Sequence, residues 1–100
     1  MAKKAIYPGS FDPPTLGHLS VARRAAGVMD QLEIVVVHNP NKSAMFSGPE
    51  RVSLWEQSLQ DAGLDGVKVS LLDGGLIASH AHALGANAII KGLRTAADLD

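Results

Sequence analysis

The chain has 100 residues, 46% of them hydrophobic, with nine Lys and Arg against ten Asp and Glu and a formal net charge of -1. That length supports one small globular domain, and the even charge balance lacks the basic excess or stripe of a nucleic-acid binder. Cysteine is absent, which excludes disulfides and thiolate metal sites and suits a reducing cytoplasm.

The first predicted element is a short apolar run, residues 5–7, behind Lys3 and Lys4. It is too short for the core of a signal peptide, and no run approaches the about 20 apolar residues of a membrane span. A cytoplasmic protein with no membrane partner is expected. The run leads into a turn rich in Gly and Pro, residues 8–14. Residues 16–29 then follow helical spacing, with Leu19, Ala22, Ala26 and Met29 on one face. Residues 32–37 are nearly continuously apolar and β-branched, as in a central parallel strand covered on both faces. A second helix is expected over 48–62, placing Val52, Trp55, Leu59 and Ala62 together. Its start is a capping box, with Ser47 as N-cap and Glu50 at the third helical position. Residues 67–71 alternate with period two. Residues 76–84 carry Leu76, Ile77, Ala81 and Leu84 as a third helix, which Gly85 would end in a left-handed conformation. Residues 87–90 are the fourth strand.

The order β-α-β-α-β-α-β predicts an open, doubly wound parallel α/β sheet of Rossmann type, with residues 1–100 in a single domain. Ligands of such sheets bind outside the C-terminal strand ends, where the strand order reverses. The first βα turn is the leading candidate for that place. The chain stops just after the fourth strand, where a further helix should begin, so it is expected to be part of a longer protein.

Within that turn, Thr15 can cap the helix that starts at Leu16 and bring Gly17 and His18 into its first turn. Unpaired N–H groups and the helix dipole make such an end suited to a phosphate. Gly9 and Gly17 permit close backbone approach, Ser10 offers a hydroxyl, and His18 can donate from its imidazole. The same dipole disfavours an imidazolium. These residues equally serve to build a tight turn, with His18 an ordinary residue at a helix start. The wider pattern favours the anion site. Lys42 follows the second strand, and Lys91 and Arg94 follow the fourth. Parallel strands would bring all three to the same rim.

Three segments, "YPGSFDPPTLGH", "NPNKSAMFSGPER" and "IIKGLRTAADLD", together resemble phosphopantetheine adenylyltransferase, within the nucleotidyltransferase superfamily that carries a T/H-x-G-H motif. The resemblance runs in register through the whole chain and covers the N-terminal two-thirds of the family's length. It implies adenylyl transfer from ATP to 4′-phosphopantetheine, giving dephospho-coenzyme A and pyrophosphate in the penultimate step of coenzyme A synthesis. Mg²⁺, held mainly through substrate phosphates and water, and a homohexameric assembly are also implied. By the same resemblance His18 stabilises the transition state, and Ser10 contacts both substrates. Phe11 adjoins the ATP site through its backbone. Lys42 contacts the phosphopantetheine phosphate, and Lys91 also contacts substrate. Gly92, Leu93 and Arg94 line the ATP site, and Ile77 lies against the pantetheine arm. The family pattern continues past Asp100 with an acidic residue and a Ser-rich segment at the ATP phosphates. The alternatives are another T/H-x-G-H nucleotidyltransferase, acting on nicotinate mononucleotide or using CTP, and an inactive phosphate-binding fragment.

Other residues are given structural roles. His80 and His82, two apart on a helix, point about 200° apart and cannot share a metal on one face. His80 is expected to pack beside the apolar face. Trp55 is read as core. Asp12 builds the turn, Glu50 caps a helix, and Arg51 is given no chemical role. His38 ends the second strand near the proposed rim, where side chains often line clefts.

Overall fold

The computed structural model describes residues 3–91. Four strands and three helices alternate: β1 (Lys4–Gly9), α1 (Leu16–Val28), β2 (Gln31–His38), α2 (Gly48–Asp61), β3 (Lys68–Asp73), α3 (Ile77–Ala83) and β4 (Ala88–Ile89). The strands form one parallel sheet in the order β3-β2-β1-β4. The first two crossovers step outward from β1, whereas the third returns across the sheet to its other side. The strand order therefore reverses between β1 and β4.

Alternation along the strands decides which helix covers which face. Ala5 and Tyr7 of β1 and Leu32, Ile34 and Val36 of β2 point one way. There they bury Ala22 and Ala25 of α1 and Trp55 and Leu59 of α2. Ile6 and Val35 point the other way and meet Ala81 of α3, with Ile77 and Leu84 packed alongside. Helices on both faces make the sheet doubly wound, as expected from the right-handed crossover rule. Because β2 is sandwiched, Leu32, Ile34, Val35 and Val36 are all buried, which accounts for its nearly continuous apolar run, broken only by Glu33.

Local signals act where the sequence puts them. The Ser47 hydroxyl accepts from the Glu50 N–H, and the Glu50 carboxylate accepts from the Ser47 N–H. Gly85 takes φ of +71° just beyond α3. One expectation is corrected: Leu76 does not join the apolar face of α3 but precedes the helix and is 73% exposed. Outside the helix it escapes the 3.6-residue repeat that would have turned it inward. No helix among the described residues is long and apolar enough to cross a membrane.

Candidate functional site

The turn between β1 and α1 lies at the C-terminal edge of the sheet, beside the β1–β4 reversal. Residues 7–13 and His18 line an open hollow of about 470 Å³ there, a size suited to a small ligand. Its floor is aromatic. Phe11 is 5% exposed and meets Tyr7, Trp55 and His18 edge-on, with ring centroids 5.1, 5.0 and 5.0 Å away. The Phe11 backbone takes φ of +49°, a conformation costing a bulky residue about 1–3 kcal/mol that surrounding packing must offset. Gly9 is required beneath it, because a Cβ there would stand 2.7 Å from the tip of the Phe11 ring.

Thr15 caps α1 as expected, but the cap is reciprocal in a way not foreseen. The Thr15 hydroxyl oxygen accepts from the His18 N–H at 3.3 Å, while His18 Nδ1 accepts from the Thr15 N–H at 2.9 Å. An imidazole thus stands where a capping box usually holds Glu or Gln. Since Nδ1 accepts, the ring proton of the neutral imidazole belongs on Nε2. The histidine is oriented, and its tautomer is selected, by the backbone of its own helix start.

Two residues read as structural prove to bind the site's loops together. The Asp12 carboxylate accepts from the N–H groups of Met45 at 2.6 Å and Phe46 at 2.8 Å, tying the first βα turn to the loop before α2. The Met45 bond, chiefly, holds the Asp12 carboxyl below its ordinary value; desolvation opposes it, and the Phe46 bond and the nearby Arg51 charge add to the lowering. Arg51 is 2% exposed. Its Nη1 donates to the carbonyls of Ser10 at 2.8 Å and Val37 at 3.3 Å, and its Nε donates to those of Phe46 and Ser47. Its Nη2 lies 2.8 Å from His38 Nδ1, which must be the acceptor because guanidinium has none. Sequence reasoning gave Arg51 no chemical role and so missed it. The available signal was spacing: residues 51, 55 and 59 form one i, i+4, i+8 stripe with Trp55 and Leu59.

The other sequence-predicted residues within the described range all follow the C-terminal ends of strands. Ser10 and Phe11 line the hollow with His18. Lys42 is exposed in the loop after β2, and Lys91 is exposed just after β4. Both follow strands parallel to β1, although neither lines the hollow. Ile77 is half-buried at the start of α3 in the second core cluster. Gly92, Leu93 and Arg94 lie outside the described residues. His80 is half-buried as expected, and its Nε2 has no hydrogen-bond partner among the described residues. Among those residues no group of three His, Cys, Asp or Glu side chains could hold a metal ion.

Residues 6–100 match the cytidylyltransferase-like family. The chain belongs to that family. Within it, the chain is 47% identical over 100 residues to phosphopantetheine adenylyltransferase of Clavibacter michiganensis, covering 99% of this chain and 61% of that protein. It is 51% identical over 96 residues to the enzyme of the same name from Dehalococcoides mccartyi, covering 96% and 58%. The chain therefore spans about three-fifths of the length of these relatives. A solved bifunctional NMN adenylyltransferase/ADP-ribose pyrophosphatase from Francisella tularensis, in complex with AMP and a manganese ion, matches with a TM-score of 0.66 and 25% identity. That match covers 91% of this chain and 32% of the Francisella protein. The fold expected from the sequence is the fold of this cytidylyltransferase-like member and its structural neighbour.

Proposed function

We propose that the protein transfers the adenylyl group of ATP to 4′-phosphopantetheine, releasing pyrophosphate and forming dephospho-coenzyme A. The observation that carries the reading is the clamped imidazole: His18 has its Nδ1 engaged by Thr15 and stands at the edge of a ligand-sized hollow. The choice of acceptor is supported by the relatives' names and by Lys42 and the Lys91–Arg94 segment in their contexts.

The nucleophile is a phosphate oxygen, already anionic near neutral pH, so the step needs no general base. That oxygen attacks the α-phosphorus of ATP; the bond to the bridging oxygen breaks, and the electron pair leaves on pyrophosphate. Catalysis is then positioning and charge stabilisation. His18 donates from Nε2 to a non-bridging α-oxygen as the five-coordinate arrangement forms. One preorganised donor of this kind contributes about 3–4 kcal/mol. Lys42 and Lys91 offset the repulsion between two anionic substrates. The N-terminal end of α1 adds partial positive charge. Magnesium enters as the ATP complex, held by phosphate oxygens and water, which calls for no protein carboxylate cage.

The test is pyrophosphate release by the intact natural protein with ATP or CTP and a panel of acceptors. Turnover with ATP and phosphopantetheine is expected, with loss on adding EDTA and recovery with excess Mg²⁺. Activity on nicotinate mononucleotide but not on phosphopantetheine would reject the reading. A homohexamer in the cytoplasm accompanies the proposal, and sedimentation equilibrium at six protomer masses tests the assembly.

A further inference from the structure

Arg51 occupies an expensive position. It lies in the first turn of α2, where the positive end of the helix dipole disfavours a cation, and its hydrogen-bond partners are all uncharged. A buried charge without a bonded counterion is costly, and an apolar side chain in the same stripe would avoid the cost. What an apolar residue cannot supply is the geometry of the contacts, which close a ring. Asp12, in the first βα turn, holds the N–H groups of Met45 and Phe46. The Phe46 carbonyl accepts from Arg51 Nε at 3.1 Å. Arg51 Nη1 returns to the same first turn at the Ser10 carbonyl, 2.8 Å away. A further arm, Nη2, reaches His38, the last residue of β2, from which the loop carrying Lys42 departs. Only a planar fork with five donors can serve these directions at once; lysine has the charge but radiates from a single atom.

We propose that Arg51 is a positioning residue. It holds the Ser10–Phe11 turn and the loop running from His38 to Phe46 at one separation, so that His18 and Lys42 engage two anionic substrates in register. The inference rests on the adenylyl-transfer reading. It predicts that the shape of the guanidinium matters beyond its charge and beyond its contribution to folding.

The decisive variant is Arg51→Lys in the intact natural protein, assayed well below its melting temperature, with kcat normalised to the folded fraction from circular dichroism. Loss of alignment is expected to lower kcat at least about tenfold per folded molecule, since small misplacements of reacting groups can cost up to about a hundredfold. His38→Ala cuts only the arm toward the Lys42 loop. It is expected to raise the KM for phosphopantetheine at least about threefold, with a smaller change in kcat. An Arg51→Lys enzyme within twofold of wild type per folded molecule, or one whose activity falls only with its folded fraction, overturns the proposal. Should the wild type prefer another phosphorylated acceptor, the substrate assignment fails separately, and the same comparison is made with that acceptor. A wild type that releases pyrophosphate with no acceptor overturns both.

Discussion

The main-chain N–H of Thr15 donates to Nδ1 of His18 at 2.9 Å, so the residue that caps α1 also clamps the imidazole three positions later. This contact converts a helix start into an oriented donor. It predicts an Nε2–H tautomer for the neutral ring, readable in the 15N spectrum of the side chain. An Nδ1–H tautomer would contradict the assignment. Replacing His18 by Ala removes the donor and half of the capping box. Turnover is expected to fall at least about a hundredfold, while unfolding free energy falls by about 1 kcal/mol.

Thr15→Ala separates the hydroxyl's contribution from that of the main-chain N–H. It deletes the hydroxyl, which accepts from the His18 N–H and also lies 3.1 Å from Nδ1, but keeps the main-chain N–H that holds Nδ1 at 2.9 Å. A stability loss of about 0.5–2 kcal/mol in urea is expected, with a far smaller loss of kcat than His18→Ala produces. Equal kinetic losses in the two variants would mean that the hydroxyl itself orients the ring.

Gly9→Ala should damage the floor of the hollow. The new methyl would lie 2.7 Å from the Phe11 ring tip, and that ring is hemmed in by Tyr7, Trp55 and His18. Overpacking of this kind costs about 1–3 kcal/mol, measurable by thermal denaturation. The displaced ring would disturb His18, so kcat is expected to drop about tenfold or more. Unchanged kcat with lowered stability would uncouple the aromatic floor from the imidazole.

Acid should weaken the two carboxylate clamps. Asp12 is held low chiefly by the Met45 N–H, and Glu50 chiefly by the Ser47 N–H and then the Ser47 hydroxyl. A depressed folded-state value means that the unfolded chain binds the proton more tightly. The stabilisation is therefore complete above the ordinary carboxylate range and is lost as pH falls through the lowered values. The stability difference between wild type and the Asp12→Asn, Glu50→Gln double variant should stay constant from pH 7 to about 5 and shrink below about 4. Urea midpoints across that range check it; a difference independent of pH would assign the clamps no ionic part.

What could be read from the chain before folding was whatever depends on near neighbours. The Ser47–Glu50 box, the left-handed Gly85 and the Thr15 cap each involve groups within about one helical turn, so spacing alone exposes them. The strand runs were legible because burial on one or two faces writes period two or an unbroken apolar stretch. Leu76 was misjudged at a boundary, where periodicity carries little information.

The contacts that hold the site together left no such trace, although the stripe of residues 51, 55 and 59 pointed to burial of Arg51. Asp12 and Met45 stand 33 positions apart, and Ser10 and Arg51 stand 41 apart; only the arrangement of parallel strands, with β2 beside β1, brings their loops to one edge. Amino-acid order alone thus determined the elements, the class of sheet and the Thr15-capped turn, because those follow from local hydrogen bonding and hydrophobic period. Tertiary structure decided which loops share that edge and which distant carbonyls the buried Arg51 guanidinium reaches. Hydrogen bonds between distant segments depend on where the folded sheet delivers them, and no local pattern encodes that.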